Sequence, residues 1–149
     1  MPYCVTMTAP QILDTLLHNV LALSLTTQHF HWCVTGPTFG PLHKLFGKQY
    51  EDLQAAADTL AERIRALDAF PHAHNSSAGA EAISPIADKP PKYTKMLEIL
   101  ATENEKLGNF SNAASLELSG TDAASSNLLA DMQHQFEKAA WMLRSHLDG

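Results

Sequence analysis

Hydrophobic residues recur at steps of three and four along most of the chain, which is the period of an α-helix, and strand-like alternation is nearly absent. The first helical stretch is predicted from about Ala9 to Val34. Thr8 is a candidate N-cap for this helix, and Pro10 lies in its first turn. Its apolar stripe is formed by Ile12, Leu13, Leu16, Leu17, Val20, Leu21 and Leu23.

A second helical stretch is predicted from about Phe39 to Ala69, and Pro71 is expected to end it. The break between the two stretches, Gly36-Pro37-Thr38, is short, so the two helices should run antiparallel to each other. The apolar stripe of the second helix consists of Leu42, Leu45, Phe46, Leu53, Ala56, Ala57, Leu60, Ile64 and Leu67.

Residues 71–91 are rich in Pro, Ser, Ala and Gly and predict a long crossover, with a short helix around Ala80–Ile83. A third helix is predicted after Pro91 and should run to about Leu118. A turn with capping residues follows, and a fourth helix should reach about His146.

Two helical hairpins joined by a long crossover indicate an all-α fold, a four-helix bundle of the ferritin-like kind. At 149 residues, the chain is expected to form a single domain over residues 1–149. A bundle without any functional site would have the same pattern, so function has to be argued from particular side chains.

The composition excludes several classes of function. The chain has 10 Lys and Arg against 16 Asp and Glu, a net charge of −6, which argues against a module that binds nucleic-acid phosphates. No apolar run approaches the ~20 residues of a membrane span, and the opening segment MPYCVTMTAP does not resemble a secretory signal. Cys4 and Cys33 form no CxxC motif, so we expect reduced thiols and a cytoplasmic location.

Two carboxylates in the second helix are candidate metal ligands. Asp58 and Glu62 are four residues apart, so they project from the same face of the helix. Two carboxylates on one face can chelate a cation, and neighbouring imidazoles would suit iron or zinc. The alternative is a solvated acidic edge beside Arg63 and Arg65.

His43 lies 15 residues before Asp58 on the same predicted helix. At a rise of ~1.5 Å per residue the two are about 22 Å apart along the axis, so one copy of the helix cannot bring both to one ion. Two copies packed antiparallel across a two-fold axis near Gln49–Glu51 would place His43 of one beside Asp58 of the other.

His31 fits the same arrangement, because the tight return between the helices brings it close to His43. The spacing therefore predicts a site that exists only in a dimer, with His31 and His43 from one subunit and Asp58 and Glu62 from the other. Such a site can bind iron and leave positions open for an oxidant. The alternative is that the two histidines only cap or pack the hairpin.

The segment from Thr26 to Leu67 resembles the signature of the Dps family, the DNA-binding proteins from starved cells, also called mini-ferritins. The matching residues run H-W-x-V-x-G-x-x-F, then L-H, then D-x-x-x-E-R, with each spacing intact. Glu137–Leu147 resembles the last helix of the family.

The resemblance implies a hollow homododecamer of four-helix subunits, with a ferroxidase site between subunits. By position, the family's ligands correspond to His31, His43, Asp58 and Glu62. The implied activity is oxidation of Fe(II), with hydrogen peroxide as the preferred oxidant, and storage of ferric mineral, which protects against oxidative stress. Iron is the implied metal, and zinc is a candidate substitute.

This chain departs from the family's pattern at Gly47, where an acidic residue is usual four positions after the second histidine. One turn beyond His43, an acid would face the same metal, so we expect a weaker second iron position. The alternative function is a metal-sequestering shell with little or no ferroxidase activity. Another is a hydrolase that uses zinc at the same site, although the sequence contains no nucleophile constellation for it.

Three further expectations concern neighbouring residues and partners. Trp32 is the aromatic residue expected nearest the site. Asp122 and Asp131 are candidates for a three-fold pore of the kind that the family carries, or for a helix cap and a solvated face. DNA binding is expected to be absent, because the net charge is negative and the family's Lys-rich tails have no counterpart in the sequence.

Overall fold

The computed structural model describes residues 6–72 and 89–148. These residues form four helices and no strand, as the sequence predicts: α1 (Ala9–Cys33), α2 (Phe39–Ala66), α3 (Tyr93–Leu118) and α4 (Ala123–Ser145). The short helix expected around Ala80–Ile83 lies outside the described residues.

The four helices pack as two hairpins, α1 against α2 and α3 against α4, and the hairpins join mainly through α1 and α3. The apolar stripes of all four helices meet in one core. The largest fully buried side chains are Phe46, Phe136, Leu13, Leu16, Leu23, Leu42, Leu60, Ile64, Met96, Leu97, Leu100 and Leu129. None of the four helices is long and apolar enough to cross a membrane.

The α1–α2 hairpin is defined by residues at both ends of α1. Thr8 and Gln11 form a capping box: the Gln11 backbone N–H donates to the Thr8 hydroxyl, and the Thr8 N–H donates to Oε1 of Gln11. At the turn, Gly36 has a φ of 115°, which disfavours any residue with a Cβ. The ring of Tyr93 lies 3.2 Å from where that Cβ would be, so the turn also packs tightly against α3.

α2 ends at Ala66, earlier than the predicted end at Ala69, and not because of Pro71. Asp68 adopts the left-handed conformation, with a φ of 61°. Its N–H donates to the Arg65 carbonyl, and the next N–H, that of Ala69, donates to the Ile64 carbonyl. These two bonds form a Schellman motif, which satisfies the last carbonyls of the helix before the proline is reached.

α4 begins with a polar cluster that ties it to α2. Asp122 is the N-cap: its carboxylate accepts hydrogen bonds from the backbone N–H and the hydroxyl of Ser125. The same carboxylate pairs with Arg63 of α2 at 2.8 Å, and Nε of Arg63 donates to the Ser125 hydroxyl. Burial alone would raise the pKa of Asp122, but the Ser125 hydrogen bonds and the Arg63 charge outweigh it and hold the pKa below its ordinary value.

Candidate metal centre

The two histidines of the predicted site lie against each other where α1 ends and α2 begins. The imidazole rings of His31 and His43 are stacked, with centroids 3.8 Å apart and planes 13° from parallel. Both side chains are half-buried. The short return between the helices therefore does bring these two residues together, as the sequence predicts.

Each of these imidazoles also binds the backbone of the other residue. Nδ1 of His31 lies 2.6 Å from the His43 carbonyl oxygen, and Nδ1 of His43 lies 2.7 Å from the His31 carbonyl oxygen. A carbonyl only accepts hydrogen bonds, so each Nδ1 must carry the proton and donate it. In the neutral ring Nε2 then holds a lone pair, and it is the one nitrogen left to bind a metal.

The reciprocal bonds also satisfy the end of α1. His31 lies in the last turn, and the final carbonyls of a helix have no donor within the helix. The imidazole N–H of His43 supplies such a donor to the His31 carbonyl. The histidines therefore do cap the hairpin, as the alternative interpretation holds, but they do so through Nδ1. Nε2 of each ring remains available for a metal.

The aromatic rings that contact these histidines differ from the one expected. Phe39 stacks on His43 with centroids 5.1 Å apart, and Tyr50 packs edge-on against His31 at 5.4 Å. Trp32 is 65% exposed, and its ring packs edge-on against His29. Trp32 is therefore not one of the rings that contact these two histidines within the subunit, and its place beside a metal shared with a second subunit stays a prediction. The sequence could have indicated Phe39, because it lies four residues before His43 on α2 and so on the same face of that helix.

Gly47 lies directly against the His31 ring. A Cβ on Gly47 would come within 3.0 Å of Cε1 and 3.1 Å of Nδ1 of His31. The position therefore faces the imidazole itself, and a side chain there would press against the ring.

The two carboxylates lie towards the other end of α2, and both are exposed. Within the described residues, neither Asp58 nor Glu62 forms an ion pair or a hydrogen bond. The neighbouring arginines are engaged elsewhere: Arg63 pairs with Asp122, and Arg65 donates to the Ala69 carbonyl and lies over the ring of Phe70. The acidic edge is thus not neutralised by the arginines beside it.

Over the ranges 6–72 and 89–148 of one chain, no three His, Cys, Asp or Glu side chains come close enough to hold a metal ion. The histidine pair and the carboxylate pair are separate groups on one continuous helix, α2, and its neighbour α1. Each pair offers two ligand groups, which is fewer than the four or more ligands that a transition metal usually takes from protein and solvent.

Comparisons with known proteins agree with the four-helix fold and with the Dps-like signature between Thr26 and Leu67. Residues 11–149 match the family model for the ferritin-like domain. The chain is 28% identical over 138 residues to the DNA protection during starvation protein of Brevibacillus brevis, covering 92% of this chain and 93% of that one. The chain belongs to the Dps family of ferritin-like proteins.

Two more relatives show how far the likeness extends. A low temperature-induced protein of Nostoc is 32% identical to this Dps-family chain over 134 residues, covering 85% of this chain and 73% of that one. The crystal structure of a Dps protein from Vibrio cholerae superposes with a TM-score of 0.80 at 29% identity, covering 94% of this chain and 89% of that one. That protein is described as a member of a superfamily of ferritin-like diiron-carboxylate proteins.

The remaining candidate residues of this Dps-family chain have structural surroundings of their own. Nε2 of His29 lies 3.6 Å from Sγ of Cys33, one turn along α1. Asp122 is the helix cap described above, so its carboxylate is directed at α4 and Arg63. Asp131 is exposed on α4 and takes part in no hydrogen bond or ion pair with another described residue.

Proposed function

We propose that this Dps protein oxidises Fe(II) at sites shared between two subunits and stores the ferric product inside a hollow homododecameric shell. The observation that supports the proposal is the reciprocal hydrogen bonding of His31 and His43. Each Nδ1 donates to the carbonyl oxygen of the other residue, so each Nε2 is the nitrogen that remains to bind a metal. The membership of the ferritin-like family supports iron as the metal.

The proposed site combines two half-sites across a two-fold axis: the histidine pair, His31 and His43, of one subunit and the carboxylate pair, Asp58 and Glu62, of the other. Two α2 helices that pack antiparallel near Gln49–Glu51 bring the carboxylates of one subunit beside the histidines of the next. Asp58 and Glu62 then hold one iron together with the partner subunit's His31, and the partner subunit's His43 orients a second iron or a water. Both carboxylates are exposed and have no ion pair or hydrogen bond among residues 6–72 and 89–148, which supports this arrangement.

Hydrogen peroxide is the proposed oxidant, and the reaction is balanced by two ferrous ions for each peroxide. Each Fe(II) gives up one electron, the O–O bond accepts the two electrons, and two protons complete two water molecules. The two carboxylates stabilise the charge gained by the metal, and the neutral imidazoles supply nitrogen ligands without adding charge. Removing Fe(II) and peroxide together would protect the cell from the radicals that they generate.

A second function is favoured by one observation: position 47, which lies against the His31 ring, carries a glycine and no acidic ligand. Without an acid at this position, the centre has two carboxylates and two imidazoles, a set that also suits zinc. A metal-sequestering shell with slow oxidation is the corresponding alternative. It differs from a ferroxidase in binding one metal per site and in giving no fast ferric signal.

The test is to load the protein anaerobically with Fe(II), add one H2O2 for every two irons, and follow ferric absorbance by stopped flow. We expect fast oxidation in the wild type and a loss of at least about tenfold in Asp58→Asn, which keeps the side-chain shape and removes the charge. Glu117→Gln is the matched control, because Glu117 is an exposed acid on α3, a helix that carries none of the proposed ligands. Equally slow oxidation in all three proteins would reject the ferroxidase and favour sequestration.

A further inference from the structure

We propose that Gly47 is a positioning residue of the metal centre. The absence of a side chain at this position lets the His31 ring lie against α2, where His31 and His43 orient each other. An acid at position 47 would therefore disrupt this centre rather than complete it. This inference rests on the proposed function, and it reverses the simplest interpretation of the sequence, in which Gly47 marks a missing ligand.

The steric part of the argument is the space between Gly47 and the ring. A Cβ would lie 3.0 Å from Cε1 and 3.1 Å from Nδ1 of His31, which is tighter than nine in ten real Cβ contacts, so the ring would have to give way by a few tenths of an ångström. Even alanine would require the ring or the helix to shift, and an aspartate adds a carboxylate beyond that Cβ.

The ring has little freedom to move away. Nδ1 of His31 donates to the His43 carbonyl at 2.6 Å, one face of the ring stacks on His43, and Tyr50 packs edge-on against it. A rotation of the ring that relieves the clash would lengthen the Nδ1 hydrogen bond and break the stack. Both imidazoles would then lose the constraint that directs their Nε2 atoms.

The backbone offers no competing reason for glycine at this position. Gly47 lies inside α2 and not in the left-handed region, where glycine is favoured. Glycine inside a helix is less favourable than alanine, so its presence here needs another reason. Gly40, in the same helix, has no neighbouring atom within 4 Å of the point that a Cβ would occupy, so alanine would fit there.

The experiment compares Gly47→Ala and Gly47→Asp with the matched control Gly40→Ala in the assembled protein. Anaerobic Co(II) titration, read from the visible absorption bands, measures the affinity of the centre. We expect wild-type affinity in Gly40→Ala, at least about tenfold weaker binding in Gly47→Ala, and no recovery in Gly47→Asp. Tighter Co(II) binding in Gly47→Asp than in the wild type would overturn the proposal.

A second measurement keeps this proposal separate from the ferroxidase. Solid-state NMR of metal-free protein with 15N-labelled histidine reports which ring nitrogen carries the proton, and His31→Asn and His43→Asn assign the two signals. We expect both Nδ1–H signals in the wild type and in Gly40→Ala, and their shift or loss in Gly47→Ala. Unchanged signals in Gly47→Ala would reject the positioning role, whether or not the wild type oxidises iron. If the signals move but the wild type oxidises no iron, only the proposed function fails.

Discussion

Nδ1 of His31 lies 2.6 Å from the carbonyl oxygen of His43, and Nδ1 of His43 lies 2.7 Å from the carbonyl oxygen of His31. The exchange joins the last turn of α1 to the first turns of α2. Nδ1 of each ring is engaged in a hydrogen bond that stabilises the hairpin, and Nε2 remains available to bind a metal. A substitution that reproduces the Nδ1–H donor but not Nε2 should therefore retain the stability of the protein and lose metal binding.

His43→Asn makes that separation. The Asn side-chain N–H can take the place of Nδ1–H and donate to the His31 carbonyl, but nothing replaces Nε2. We expect near wild-type thermal stability and at least about tenfold weaker Fe(II) binding, measured by anaerobic calorimetry. His43→Ala should bind iron as poorly and also lose about 1 kcal/mol of stability, because the hydrogen bond is gone. Wild-type iron affinity in His43→Asn would exclude Nε2 of His43 as a ligand.

The Arg63–Asp122 pair should stabilise the protein in a pH-dependent way. The pKa of Asp122 is lower in the folded than in the unfolded state, so its stabilisation is complete above the unfolded-state value and is lost as pH falls through the folded-state value. Asp122→Asn should cost about 1–2 kcal/mol at neutral pH, because it weakens the cap and removes the ion pair. Thermal unfolding midpoints of the two proteins should converge as pH falls below about 4.

Asp131→Asn is the control for this measurement, because Asp131 is exposed on the same helix and has no partner among the described residues. Its thermal midpoint should follow the wild type at every pH. A gap between wild type and Asp122→Asn that stays constant down to about pH 3 would show that the ionised carboxylate adds nothing to the cap.

Asp68 is a position where the protein can be made more stable. With a φ of 61°, it occupies the Schellman position that glycine fills without strain. Asp68→Gly should raise the free energy of unfolding by about 0.5–1 kcal/mol, and Asp68→Ala should not, since alanine has a Cβ in the same conformation. Chemical unfolding of the three proteins under one buffer condition measures this order. An Asp68→Gly protein no more stable than Asp68→Ala would contradict it.

The helices were predictable because long amphipathic stripes repeat the 3.6-residue period many times. Thr8 as a cap and the short return at Gly36-Pro37-Thr38 were equally readable, since both act through local backbone rules. The end of α2 was not, because Asp68 completes a Schellman motif before Pro71 can act. Asp carries only a weak signal for the left-handed conformation.

Residue spacing along the sequence predicted which side chains of the candidate site are neighbours, but not how they contact each other. The hairpin predicts that His31 and His43 are neighbours, but the reciprocal hydrogen bonds depend on side-chain rotamers that periodicity does not specify. The contact of Gly47 with the His31 ring is of the same kind. The sequence compared with its family indicates a missing acid at this position, whereas the structure shows the His31 ring in close contact with it.

DNA binding should be absent at neutral pH and about 150 mM salt. Half of the ten basic side chains already pair with acids: Lys48 with Asp52, Arg63 with Asp122, Lys95 with Glu98, Lys106 with Glu103 and Arg144 with Glu105. With a net charge of −6 per chain, an assembled shell should repel a polyanion. Plasmid DNA mixed with the iron-free protein should migrate as free DNA in a gel, and retarded migration would refute the expectation.

The central claim, that each centre is shared between two subunits, can be tested by mixing two inactive proteins. One carries His31→Asn and His43→Asn, and the other carries Asp58→Asn and Glu62→Gln. In a mixed dimer one centre combines all four changes, and the other has all four native ligands. Random co-assembly should therefore restore about a quarter of the wild-type rate of Fe(II) oxidation by H2O2. No activity in verified mixed assemblies would contradict the shared centre.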